Sequence, residues 1–98
     1  MKYGLTETEF AFLETLVLIP LKSNGASIYL FGSRAKGDYQ KFSDIDLLFD
    51  SKIDQSHLVG RILEELESSN FPFKVEIVDE KFLANSFRSE VLSSRIKL

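Results

Sequence analysis

Three short apolar runs, Ala26–Phe31, Asp44–Phe49 and Phe73–Val78, fix what this chain can fold into. Each has the length of a strand, and helical sequence separates them. The first run is closed by Gly32-Ser33 and preceded by the turn pair Asn24-Gly25. Between the second and third runs, Gln55 to Ser69 carries Leu58, Ile62, Leu63 and Leu66 at helical spacing, and Asn70-Phe71-Pro72 ends it. A strand, a helix and a strand in that order favour a right-handed parallel crossover. Upstream, Thr6 and Glu9 have capping-box spacing, so a helix is expected from Glu7 to Leu18, with Pro20 ending it. Arg34 to Gly37 fits one short helical turn. Downstream, Leu83, Phe87 and Val91 stand four apart, so a last helix is expected from Lys81 to Ser94. The expectation is an α/β (α+β) domain with a small mixed sheet of three or four strands flanked by helices.

With 98 residues, one domain spanning 1–98 is expected. No cysteine is present, which excludes disulfides, thiolate metal sites and thiol nucleophiles. The net charge of −3 argues against bulk nucleic-acid binding, which needs a basic surface. No apolar run approaches the length of a membrane span, so a cytoplasmic location is the default expectation. The phenylalanines at 71, 73, 82 and 87 read as core, and His57 as a surface residue.

The chemistry concentrates in Phe31-Gly32-Ser33-Arg34-Ala35-Lys36-Gly37 and in Ser43-Asp44-Ile45-Asp46-Leu47. Gly32 ends a strand where the backbone must turn closely. Ser33 offers a hydroxyl and an N–H at the start of a helical turn, a favourable place for an anion. Arg34 and Lys36 add positive charge nearby, and Ser43 adds a second hydroxyl beside the acids. Asp44 and Asp46, two apart in a strand, face the same way. Like charges so placed repel unless something neutralises them, and a hard divalent cation does so. Glu76, in Lys74-Val75-Glu76-Ile77-Val78, is a third acid set in an apolar strand. Asp79 competes for that role, but it lies three residues on and faces the opposite side. Gly-Ser alone is also an ordinary strand-ending turn, and Asp-x-Asp alone an ordinary solvated edge.

Taken together, Gly32-Ser33, ten intervening residues and Asp44-x-Asp46 resemble the signature of the polymerase-beta-type nucleotidyltransferase superfamily. The string GSRAKG followed by SDIDLL resembles its minimal branch, the minimal nucleotidyltransferases (MNT). The resemblance implies two Mg²⁺ ions held by Asp44, Asp46 and Glu76, and ATP as substrate. It implies phosphate binding by Gly32 and Ser33, with Arg34, Lys36 and Ser43 as further nucleotide-binding candidates. It also implies a partner, since minimal members are often paired with a separate helical HEPN protein in two-component or toxin–antitoxin systems. In some such pairs the HEPN protein is adenylylated on tyrosine. Apolar residues nearly all round the second half of the first helix are consistent with a homo- or hetero-oligomer. The rival expectation is an antitoxin-like protein that neutralises a helical partner by binding alone. Transfer to a small molecule such as an aminoglycoside is a third.

Overall fold

In the computed structural model, which describes residues Met1–Leu98, the chain enters its first helix through a reciprocal cap. The Glu9 N–H donates to Thr6 Oγ1 at 3.1 Å, and the Thr6 N–H donates to the Glu9 carboxylate at 2.9 Å. Helix α1 (Glu7–Leu13) then runs without a break into a π-helical turn (Glu14–Leu18) and on into α2 (Ile19–Ser23). This corrects the expectation that Pro20 ends the helix. Proline lacks an N–H, and its ring collides with the carbonyl four residues back. Here the preceding turn is widened, with the Ile19 N–H bonded to the Glu14 carbonyl, and the helix passes through Pro20. It stops at the turn pair instead. The Asn24 side-chain amide donates to the Pro20 carbonyl at 3.0 Å, and the Ala26 N–H reaches back to Leu21 at 3.1 Å.

Strand β1 (Ser27–Phe31) pairs antiparallel with β2 (Ile45–Asp50), and the short helix α3 (Ser33–Lys36) lies between them in sequence. Helix α4 (Ser56–Ser68) carries the chain across to β3 (Val75–Asp79), which pairs with β2 in parallel, as the crossover requires. A last strand, β4 (Ile96–Lys97), adds to the free side of β1. The sheet order is β3-β2-β1-β4, a mixed four-stranded sheet.

Alternation along the strands sorts the two faces. Ile28 and Leu30 of β1, Ile45, Leu47 and Phe49 of β2, and Val75 of β3 are buried against Leu13, Val17, Leu18 and Leu21 of the first helix and Ile62 of α4. Leu63, expected on the same face as Ile62, is turned outward at 38% exposure.

The segment after β3 differs from expectation. A 3₁₀ turn (Glu80–Phe82) comes first, Leu83 and Ala84 are extended, and α5 (Asn85–Ser94) follows. The Asp79 carboxylate accepts the Lys81 N–H at 3.0 Å, and Arg88 donates to the carbonyls of Glu80 and Leu83. Those carbonyls are thereby satisfied without continuing the helix. The break also rotates the four-residue spacing out of line. Phe82 and Phe87 are 82% and 58% exposed, not core, while Phe73 and Val91 are buried.

Candidate active site

The sheet register brings the acids together. Asp46 stands opposite Phe31 on β1 and opposite Glu76 on β3. Residues opposite one another share a face, so Phe31, Asp46 and Glu76 form one row on the side away from the main core. Ile45 and Leu47, on either side of Asp46, are fully buried on the other face and hold its direction. Asp44 lies one residue before β2 begins and is exposed. Asp79 faces the α4 side of the sheet and caps the 3₁₀ turn, so it does not join the row.

Gly32 closes on this row from β1. Its φ of 76° and ψ of −157° lie where only glycine is comfortable. A Cβ at this position would overlap Asp46 Oδ2 and lie 3.2 Å from Asp46 Cγ. The glycine therefore lets the backbone pass directly beneath the carboxylate. Ser33 opens α3, in which the Ala35 and Lys36 N–H groups bond to the Gly32 carbonyl and those of Ser33 and Arg34 have no acceptor within the helix.

Burial and the negative charges of Glu76 and Asp44 push the Asp46 carboxyl up to about 6, as does the proton it can share with Glu76. Lys74, 3.3 Å from Glu76, opposes this only in part. The site thus carries more negative charge than its own cations neutralise. No three acidic, histidine or cysteine side chains stand together as a group placed to hold a metal ion. The donor set nevertheless fits a hard divalent cation. Asp46 and Glu76 present carboxylate oxygens from one row, and Asp44 lies two residues before Asp46, exposed and outside the strand. Mg²⁺ ordinarily completes its shell with water and phosphate oxygen.

A cleft of about 340 Å³ adjoins the row, lined by Gly32, Glu76 and Val78 on the sheet side and by Phe87, Glu90 and Val91 of α5 on the other. Lys36 also lines it and is ion-paired with Glu90. Two sequence candidates are placed differently from expectation. Arg34 is 2% exposed, with its guanidinium bonded to the carbonyls of Tyr3, Lys41 and Ser43, so its donors are turned into the protein. A single arginine in a glycine–serine motif reads as phosphate-binding charge, and only packing reveals that it is enclosed. The Ser43 hydroxyl accepts the Gln40 N–H at 2.7 Å and serves the loop. His57 lies exposed on α4, away from the acids. Phe31, Phe87 and Glu90 line the cleft as well, and of these only Phe31 falls within the motif read from the sequence. Phe31 was legible as the partner of Asp46 once register was known, whereas Phe87 and Glu90 depend on where α5 docks.

A model of the family described as Polymerase beta, Nucleotidyltransferase matches residues 19–98. A probable protein adenylyltransferase, MntA, of Haemophilus influenzae is 31% identical over 83 residues, covering 82% of this chain and 69% of the relative. A solved structure assigned as a minimal nucleotidyltransferase superposes with a TM-score of 0.71 at 33% identity, over 100% of this chain and 97% of the other. A toxin–antitoxin crystal structure with AMP-PNP superposes with a TM-score of 0.64 at 24% identity, over 86% of this chain and 70% of the other, and shares the fold.

Proposed function

This chain belongs to the polymerase-beta nucleotidyltransferase family, and from that premise we propose that it transfers AMP from ATP to a hydroxyl group on a partner protein. The observation that carries the reading is the paired Asp46 and Glu76 carboxylates in one sheet row, with Gly32 passing beneath Asp46. Two like charges held together in a half-buried place gain most from a cation.

In this reading Asp44, Asp46 and Glu76 would hold two Mg²⁺ ions. Bound metal would neutralise charge on the triphosphate and acidify the acceptor hydroxyl. The Gly32–Ser33 turn holds the phosphates through its free N–H groups and the Ser33 hydroxyl. Glu76, which lines the cleft, takes the acceptor proton. The acceptor oxygen bonds to the α-phosphorus as the bond to the bridging oxygen breaks and pyrophosphate leaves. Lys36 exchanges Glu90 for phosphate oxygen. The fixed row orients the reactants, which lowers the entropic part of the barrier.

A protein acceptor is supported by the adenylyltransferase relative and by exposed Phe87 at the cleft. The resemblance to minimal nucleotidyltransferases makes a helical HEPN-type protein the partner to try. The experiment is incubation with α-labelled ATP, Mg²⁺ and the product of the adjacent reading frame. Label should reach that product with wild-type protein and fail to do so with Asp46→Asn or with EDTA. Partner binding without label would favour the binding-only reading and overturn this one.

A further inference from the structure

We propose that Arg34 is a positioning residue that fixes Asp44 by tying the glycine–serine turn to the chain just ahead of the acids; its functional half rests on the reading above. Arg34 directly follows Ser33, and Ser43 directly precedes Asp44. One guanidinium spans the gap. Its Nε and Nη2 both donate to the Ser43 carbonyl, at 3.1 and 2.8 Å. Nη2 also reaches the Lys41 carbonyl at 3.4 Å, and Nη1 donates to the Tyr3 carbonyl at 2.8 Å. The rings of Tyr39 and Phe73 lie 5.3 and 4.7 Å from the guanidinium carbon. The group is 2% exposed, and no buried side-chain nitrogen or oxygen lacks a partner.

This arrangement matters because the two aspartates are held differently. Asp46 sits inside β2, paired on both sides. Asp44 lies outside the strand, at the end of residues 38–43, where regular structure is absent. Few other bonds restrain that loop, among them Ser43 N–H to the Gln40 carbonyl and Gln40 N–H to the Ser43 hydroxyl. A planar fork that meets three carbonyls is a geometry lysine does not reproduce. The Tyr3 carbonyl comes from a tight turn in which Tyr3 and Gly4 both have positive φ, so the N-terminal segment is recruited to the same clamp.

Loss of the fork frees Asp44 while Asp46 and Glu76 keep their places. Arg34→Lys and Tyr39→Ala are compared with wild type in two measurements. The first is hydrogen exchange of backbone amides in metal-free protein. Amides of residues 40–45 are expected to lose protection at least tenfold in Arg34→Lys, while those of Leu47 and Leu48 stay protected. The second is Mg²⁺ titration of binding of a non-hydrolysable ATP analogue. The Mg²⁺ midpoint is expected to rise about tenfold in Arg34→Lys, and less in Tyr39→Ala, which opens only one face of the clamp. Unchanged loop protection in folded Arg34→Lys overturns the proposal. So does an unchanged Mg²⁺ midpoint beside a wild type that binds normally. If Arg34→Lys does not fold, Tyr39→Ala decides alone by the same criteria. A wild type without Mg²⁺-dependent binding overturns the functional reading and the functional half of this one. The exchange result then still judges the clamp.

Discussion

Asp46 and Gly32 form a pair in which each constrains the other. Gly32→Ala introduces a Cβ where Asp46 Oδ2 lies and forces a side chain into positive φ. We predict a stability loss on the order of 1–3 kcal/mol from the backbone alone and at least a tenfold fall in kcat/KM. Urea melts and nucleotidyl-transfer assays check the two together, and a fully active Gly32→Ala would sink the proposed geometry. Asp46 carries a pH prediction as well. Its carboxyl, ordinarily near 3.8, is pushed up to about 6 in the folded protein, so folded chain holds that proton more tightly than unfolded chain does. The stabilisation belonging to this group is therefore complete below about 4 and is lost as pH rises through about 6. In metal-free protein, Tm of wild type should fall relative to Asp46→Asn across that window, and added Mg²⁺ should raise wild-type Tm more at pH 8 than at pH 5. Parallel Tm curves for the two proteins would contradict this. The shared face of Asp46 and Glu76 could be read from the sequence because strand alternation and apolar neighbours fix their direction, whereas Asp44 lies outside the strand and has no such guide. The enclosure of Arg34 could not, because charge and spacing do not say whether a guanidinium meets phosphate or backbone carbonyl.

At the scale of elements, local signals worked where the interaction itself is local. The Thr6–Glu9 cap lies within one turn, and it formed as read. Thr6→Ala should cost about 1 kcal/mol, measured as a shift in urea midpoint at constant slope. No shift would mean that the end of α1 is held by packing instead. The Pro20 reading failed because a proline stops a regular helix and not a widened one. Leu13, Val17, Leu18 and Leu21 keep one face buried through the π turn, and that continuous burial outweighs the local preference. The last helix was misread for a related reason. Leu83, Phe87 and Val91 have helical spacing, but Asp79 and Arg88 bond the intervening backbone into a 3₁₀ turn and an extended step.

At the scale of the molecule, the fold class and the parallel strand pair follow from the order of the apolar runs, and the fourth strand came from two residues too short to register as a run. The cleft depends on how α5 rests on the second face, which no single segment encodes. Phe87, 58% exposed, borders that cleft beside Glu76. Phe87→Ser should leave Tm within about 1 °C, as an exposed site implies, yet lower labelling of a protein acceptor at least fivefold. Equal labelling would place the partner elsewhere. No helix is long and apolar enough to cross a membrane.

The parallel pairing of β2 with β3 has a consequence during synthesis. Asp46 and Glu76 become neighbours only after α4 has crossed the sheet and β3 has docked. A ribosome-bound chain stalled before Val75 therefore holds the glycine–serine turn and both aspartates but no assembled centre, and it should fail to retain Mg²⁺-dependent nucleotide. Catalytic competence would arrive late and all at once, so truncated translation products should be inert rather than partly active.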